Sequence, residues 1–252
     1  MEQYQSATYG ERIASVYDAL YPPSPEVEDA AELLATLAGS GRALELGIGT
    51  GRVALPLAAR GVEVHGIDVS EAMVAELRAK AGGEHIPVTV GDFSGVPVEG
   101  DFDLIFVVFN TFFVLMTQEA QVQCLQAVAD HLTPDGAFVV EAFVPDPARF
   151  DRDQRTATSH LAGDWILLES TVHDPVAQRV RTVNAFISAQ ATRLYPVELR
   201  YAWPSELDLM ARLAGLGLEH RWGGWRREEF TASSPRHISV YKPPSGARHS
   251  VQ

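Results

Sequence analysis

The stretch Ala43-Leu44-Glu45-Leu46-Gly47-Ile48-Gly49-Thr50-Gly51-Arg52 decides how this chain folds. Residues Arg42–Leu46 read as a strand that runs straight into three glycines, and Arg52 to Arg60 reads as a helix closed by Gly61. Glycines let the backbone turn tightly and approach a ligand closely, while the helix that follows presents unpaired N–H groups. The spacing is G-x-G-x-G, not the G-x-G-x-x-G that seats a pyrophosphate, and no Gly-Lys-Ser/Thr follows as a P-loop requires. Glu45 stands two residues ahead of Gly47, where a carboxylate repels a pyrophosphate and suits a cationic ligand. Asp68 lies 21 residues beyond Gly47 at the end of a second strand, Val62–Ile67, a place where a carboxylate accepts hydrogen bonds from ribose hydroxyls. Asp92 follows a third strand, Val88–Val90, on the same carboxyl edge, and ligands of open α/β sheets bind outside that edge.

Outward from this stretch the alternation continues. Ile13, Val16, Tyr17 and Leu20 fall at helical spacing, and Tyr21-Pro22-Pro23 stops that helix. A second helix begins at Ser24-Pro25 and ends at Gly39 or Gly41. Ser70 caps a helix running to about Ala81. Phe102–Phe109 is nearly continuous in apolar residues, as a strand buried on both faces should be. Gln118–Leu132 is helical, Thr133-Pro134-Asp135-Gly136 is a turn, and Ala137–Phe143 is the fifth strand. The period then changes: Asp164–Val172, Arg179–Ile187 and Ala191–Trp203 are three strand-like runs, read as an antiparallel insertion. Ser205–Gly215 returns to helix, and Leu218–Trp225 and His237–Lys242 are the last strands. The expected division is 1–39 N-terminal helices, 40–145 a core that binds a nucleotide-type cofactor, 146–203 the β insertion, 204–243 the end of the core and 244–252 a flexible tail.

Composition narrows the function. The 252 residues carry 20 Lys and Arg against 33 Asp and Glu, a formal net charge of −13. That balance argues against nonspecific binding to nucleic acid or anionic lipid, though a cationic small molecule would be attracted. The hydrophobic fraction of 46% and charged fraction of 21% exclude wholesale disorder. A single cysteine, Cys124, forms no internal disulfide and no thiolate metal cluster; a passive thiol is expected. Histidines and carboxylates lack metal-ligand spacing, so no metal is expected. With no apolar run near the ~18 residues of a membrane span and no signal-peptide pattern at the N-terminus, the expected location is cytoplasmic.

In four places, in order, the sequence resembles the class I S-adenosylmethionine-dependent methyltransferases: ELGIGTGR, GIDVSEAM, GDF and LTPDG. The resemblance covers about residues 9–145, and ELDLMARLAGL with SPRHISVYKP resembles the family's last helix and strands. It implies a Rossmann-like α/β sheet of seven strands, mostly parallel with the last antiparallel, plus an N-terminal helical lid and an antiparallel β cap. It also implies roles. Glu45, Gly47 and Gly49 hold the methionyl end of S-adenosylmethionine; Asp68 binds the ribose hydroxyls; Val69 and Met73 pack on the adenine. Asp92 accepts from the adenine amino group, with Phe93 beside it, and Phe109 sits near the methionine portion. YGERIASVYD resembles the family's lid, with Tyr17 reaching the cofactor carboxylate and Tyr9 near the methyl group and the substrate. Tyr9 and Tyr17 are the candidate catalytic residues, orienting rather than deprotonating.

After the fourth strand the chain offers Asn110 and Thr111, then Phe112 and Phe113, with no histidine, lysine or carboxylate. Asn110, Phe112 and Phe113 are therefore candidate substrate contacts. The missing base favours a neutral amine acceptor over a hydroxyl, which usually needs a general base. The tyrosine pair and cap are similar to antibiotic-pathway N-methyltransferases acting on lincosamides and amino sugars, which implies a small-molecule substrate. O-methylation of a small-molecule hydroxyl is the alternative. C-methylation, a nucleic-acid methyltransferase and a noncatalytic S-adenosylmethionine-binding module are further readings. Exposed cap strands should pair between copies, giving a homo-oligomer.

Overall fold

The computed structural model of the chain describes residues 6–162 and 164–244. Seven strands form the main sheet: β1 (Arg42–Leu46), β2 (Glu63–Asp68), β3 (Val88–Val90), β4 (Phe102–Val107), β5 (Leu132–Phe143), β10 (Gly217–Trp222) and β11 (Arg236–Lys242). Their spatial order is β10-β11-β5-β4-β1-β2-β3. The pairs from β3 to β5 are parallel, whereas β11 runs antiparallel to both β5 and β10. The sheet is Rossmann-like, as expected. The order reverses between β1 and β4, so a crevice opens at their carboxyl ends.

Burial explains why these residues pair. Ala43, Leu44, Leu46, Leu104, Ile105, Phe106 and Val107 are all wholly inaccessible to solvent, because helices cover both faces. On one face α2 (Pro25–Ala38) and α3 (Ala54–Ala58) bury Ala30, Leu34 and Leu57. On the other, α5 (Gln118–His131) and α6 (Pro204–Leu213) bury Leu125, Val128, Leu207 and Met210. Cys124 lies in that second core, where burial pushes its thiol pKa up and leaves it unreactive. Ser70 caps α4 (Glu71–Arg78) as read from the sequence, accepting from the Met73 N–H at 3.2 Å.

The insertion has four strands rather than the three expected: β6 (Gln154–Ala162), β7 (Trp165–Asp174), β8 (Arg179–Ser188) and β9 (Thr192–Arg200), antiparallel in sequential order. β6 is rich in polar residues and carries no apolar period. The Thr133–Gly136 segment also differs from expectation: it is carried within β5, where pairing with β4 shifts register between Phe102 and Leu104. The cap is tied to the core at its base. Arg200 at the end of β9 donates to Gln121 Oε1 and Glu206 Oε1, each at 2.7 Å. The lid helix α1 (Ser6–Leu20) lies against α4 and the cap: Ile13 and Ala14 are buried with Met73 and Tyr195, beside Tyr9, Tyr17 and Phe186. Residues 245–252, the greater part of the expected frayed tail, lie outside the described residues. Among the described residues no helix is long and apolar enough to cross a membrane.

Candidate cofactor and methyl-transfer site

The glycine loop is folded back onto β2. Gly47 and Ile48 both donate their N–H groups to Ile67 O, at 2.8 and 3.0 Å. Gly47 and Gly49 have φ of +75° and +54°, a region in which an L side chain is strained. A Cβ on Gly47 would lie 2.5 Å from Thr111 Cγ2, while one on Gly49 would project into open space. The loop is thus packed on one side and open on the other, as a cradle for a ligand must be.

Asp68 closes β2 and is nine-tenths hidden. Its Oδ2 accepts from Gly49 N–H at 2.7 Å and its Oδ1 from Ser70 N–H at 2.9 Å. Burial raises its pKa, and the backbone N–H groups of Ser70, Gly49 and Val69 oppose that rise. A carboxylate has about four acceptor sites, so these backbone bonds leave capacity for a ligand hydroxyl. Val69 beside it is 37% exposed, a surface open to a flat ring. Met73 instead lies under the lid with Ile13 and Ala14. Asp92 is exposed and accepts from Ser94 N–H at 2.7 Å, and Phe93 is buried next to it.

Glu45 is buried at the end of β1, and its Oε2 has no hydrogen-bond partner among the described residues. Burial raises its pKa well above the ordinary value, and neighbouring Asp68 adds to the rise. The N–H of Ala54 and the charge of Arg52 partly oppose it. A buried acceptor left unsatisfied is costly, and a cationic ligand would satisfy it. The residues present therefore fit a cofactor that carries an ammonium and a sulfonium.

Beyond β4, Phe109 and Asn110 are two successive non-glycine residues with positive φ, 54° and 66°. The conformation is held from β5: Phe109 N–H donates to Glu141 Oε2 at 2.9 Å, and Phe143 N–H donates to Asn110 Oδ1 at 2.7 Å. The result turns the Phe109 ring onto the Arg52 guanidinium, 4.2 Å from its centroid. Tyr17 and Tyr21 of the lid stand 5.9 and 5.4 Å from the same cation. Burial raises the Tyr17 pKa and Arg52 opposes the rise, so Tyr17 is a phenol at neutral pH rather than a phenolate base.

Some substrate-contact expectations need correction. Phe112 and Phe113 have no accessible surface; they lie in a short 3-10 turn packed into the α5 side of the core, so they offer a substrate no surface. Asn110 has its side-chain oxygen committed to Phe143, a structural role. Sequence reading also passed over four residues: Arg52, Glu141, Glu11 and Asp18. Arg52 follows the last glycine, which was its available signal. Glu141 becomes relevant only because β5 neighbours β4. Glu11 and Asp18 pin the lid. Glu11 Oε1 accepts from Ser70 Oγ at 2.7 Å and Ala72 N–H at 3.3 Å. Asp18 Oδ1 accepts from Thr50 Oγ1 at 2.6 Å, and its Oδ2 pairs with Lys80 Nζ at 2.5 Å.

Comparison with known proteins agrees with this geometry. Residues 43–136 match a family described as a methyltransferase domain. The chain is 30% identical over 200 residues to the cypemycin N-terminal methyltransferase of a Streptomyces species, covering 78% of this chain and 81% of that one. It is similar to the CcbJ methyltransferase from Streptomyces caelestis, with a TM-score of 0.91, 40% identity, and 95% and 99% of the two chains covered. The sugar N-methyltransferase KedS8 from a Streptoalloteichus species shares the fold, with a TM-score of 0.67, 18% identity, and 96% and 99% covered. Motif loop, strand order, buried carboxylates and relatives agree: the chain belongs to the class I S-adenosylmethionine-dependent methyltransferases, and S-adenosylmethionine is its cofactor.

Proposed function

We propose that the enzyme methylates a nitrogen of a small natural-product molecule such as an amino sugar. The observation that carries this reading is the chemistry beside Arg52. Described residues at the carboxyl end of β4 include no histidine or lysine, the nearby Tyr17 is held as a phenol, and Glu141 is engaged by the Phe109 N–H. A neutral amine needs orientation more than deprotonation, whereas a hydroxyl needs a base. One of the structural neighbours, KedS8, is also named a sugar N-methyltransferase.

Bound S-adenosylmethionine supplies a methyl carbon on a sulfonium, an activated leaving group. The protein's share is placement. Glu45 receives positive charge at the methionyl end, and Asp68 and Asp92 fix the nucleoside. Val69 and Phe93 border the adenine. Tyr17 and Tyr9, on a lid pressed between α4 and the cap, exclude water and orient the acceptor. Alignment of this kind supplies up to ~7–11 kcal/mol of a barrier. The edge strand β9 of the cap also carries Leu194 at 56% exposure, which supports self-association through that edge.

Mass spectrometry of products from purified enzyme, offered amino sugars, other amines, phenols and carboxylic acids, tests the proposal. Methyl groups on nitrogen are expected; methylation confined to oxygen would overturn it. Light scattering tests self-association, for which a monomeric mass is the contrary result.

A further inference from the structure

We infer that Glu169 and Asn184, on the inner face of the cap, bind the hydroxyl groups of the methyl acceptor, a hydroxylated cyclic amine. The inference rests on the proposed nitrogen methylation and adds to it the two residues that select the acceptor.

The cap sheet turns one face to the rest of the molecule, and that face is anchored at two places. At the first, His173 is buried 3.1 Å from the Tyr201 hydroxyl, and Val180 and Leu199 pack on the α5 side of the core. At the second, Tyr195 is buried with Ile13, Ala14 and Met73 of the lid and α4, and Phe186 packs alongside. The strand register puts these cap residues on one face: His173 pairs with Val180 and Val180 with Leu199, while Tyr195 lies diagonal to Phe186. β9 touches both α1 and the turn Thr111–Val114 that follows β4. Tyr195 and Leu199 are four residues apart, so about 13 Å of inner face separates the anchors. That span roofs the crevice between the carboxyl end of β4 and the lid.

Two rows of side chains fill the span. Thr171, Thr182 and Val197 form the row nearer the core, where the two hydroxyls bond each other at 2.9 Å. Glu169, Asn184 and Tyr195 form the row nearer the lid. Glu169 and Asn184 are half-buried direct neighbours, yet neither side chain makes a hydrogen bond or ion pair among the described residues. Arg155 of β6 shares their face and is not paired with Glu169. A carboxylate only accepts, whereas an amide both donates and accepts. Adjacent ring hydroxyls, each a donor and an acceptor, complement that pair. A carboxylic acid would meet like charge at Glu169, and a simple phenol has no second hydroxyl for Asn184. With its hydroxyls held by the roof, the acceptor turns its amine away from the cap and toward the cofactor.

Initial rates with glucosamine and with cyclohexylamine test this assignment. Both carry an amine on a six-membered ring, and only the first carries hydroxyls. The wild type should favour glucosamine in kcat/KM by roughly ten- to hundredfold, the range of a hydrogen bond to a charged group. Glu169→Ala should erase most of that preference, chiefly through KM. Glu169→Gln, which keeps an acceptor oxygen and loses the charge, should retain part of it. Asn184→Ala should weaken glucosamine alone. Rates with cyclohexylamine and affinity for S-adenosylmethionine should stay at wild-type values, which also shows that the variants fold. Equal losses for both amines, unchanged glucosamine kinetics in the variants, or a wild type without preference overturns the inference while leaving nitrogen methylation standing. A wild type that methylates neither amine overturns it too, and the nitrogen reading falls with it if the product screen finds methyl groups only on oxygen.

Discussion

The backbone N–H of Gly49 donates to Asp68 Oδ2 at 2.7 Å, so one carboxylate both shapes the glycine loop and faces the ligand crevice. Asp68 also holds the Ser70 N–H, which leads into α4. Replacing it with alanine removes two charge-assisted bonds as well as any bond to the ribose. Asp68→Ala should abolish measurable S-adenosylmethionine binding in calorimetry and lower stability by about 1.5–3 kcal/mol in denaturant titration. Unchanged affinity would exclude Asp68 from the cofactor site.

What the sequence disclosed, and what it hid, divides by the range of the interactions involved. Strand β1, the glycine loop and Asp68 were legible because a local rule, strand into turn into helix with carboxylates at strand ends, writes them within a few residues. Alternation of strand and helix pointed to the parallel part of the sheet, whereas the seven strands with an antiparallel last one were implied by the family resemblance, and their spatial order is seen only in the fold. β6 was illegible because residues Gln154–Ala162 pair only with β7 and show no apolar period. The Phe112-Phe113 pair was misread because adjacent apolar residues in a loop carry no directional signal; a 3-10 turn packs both into the core. Glu141 and Phe109 lie 32 residues apart and meet only through the β4–β5 pairing. The left-handed Phe109-Asn110 pair has no glycine to announce it.

The lid is latched at two points that touch two cofactor motifs, and the latch should open when either is cut. Asp18 bridges Thr50 of the glycine loop and Lys80 at the far end of α4. Partial burial works against its charge, but the bonds from Lys80 and Thr50 outweigh this and hold its pKa below the ordinary carboxylate value. A lowered folded-state pKa means the contribution is present above the unfolded pKa and fades as pH falls through the folded one. Asp18→Ala should speed hydrogen exchange in α1 several-fold, corresponding to about 1 kcal/mol of local opening after solvent screening. Identical exchange in the variant would show that the lid is held by Ile13 and Ala14 alone.

Glu45 should couple cofactor binding to proton release. Its free-state pKa is raised by burial and by Asp68, and a bound cation would lower it. In the pH window between the bound and free values the free protein carries the proton and the complex does not. Affinity should therefore fall as pH drops through that window, and a proton should be released on binding. Calorimetry in buffers of different ionisation enthalpy measures the release. Glu45→Gln should eliminate it and weaken binding by roughly ten- to hundredfold. Proton release that persists in Glu45→Gln would assign it to another group.

Acid stability should depend on a histidine remote from the crevice. His237, the second residue of β11, has no accessible surface; its Nδ1 lies 2.8 Å from Ser239 Oγ, and its Nε2 has no partner among the described residues. Burial, reinforced by the positive charge of Arg221, lowers its pKa to about 3 from an ordinary 6.5. The folded protein thus keeps the ring neutral where the unfolded chain has already taken a proton. The sign follows: stability is full above about pH 6.5 and falls as pH drops from there toward 3, by up to about 1.4 kcal/mol per unit. His237→Gln cannot titrate, so its stability curve should be flatter between pH 6 and 4 even if its maximum is lower. Chemical denaturation at a series of pH values compares the two slopes, and equal slopes would mean that carboxylates, not His237, set the acid limit.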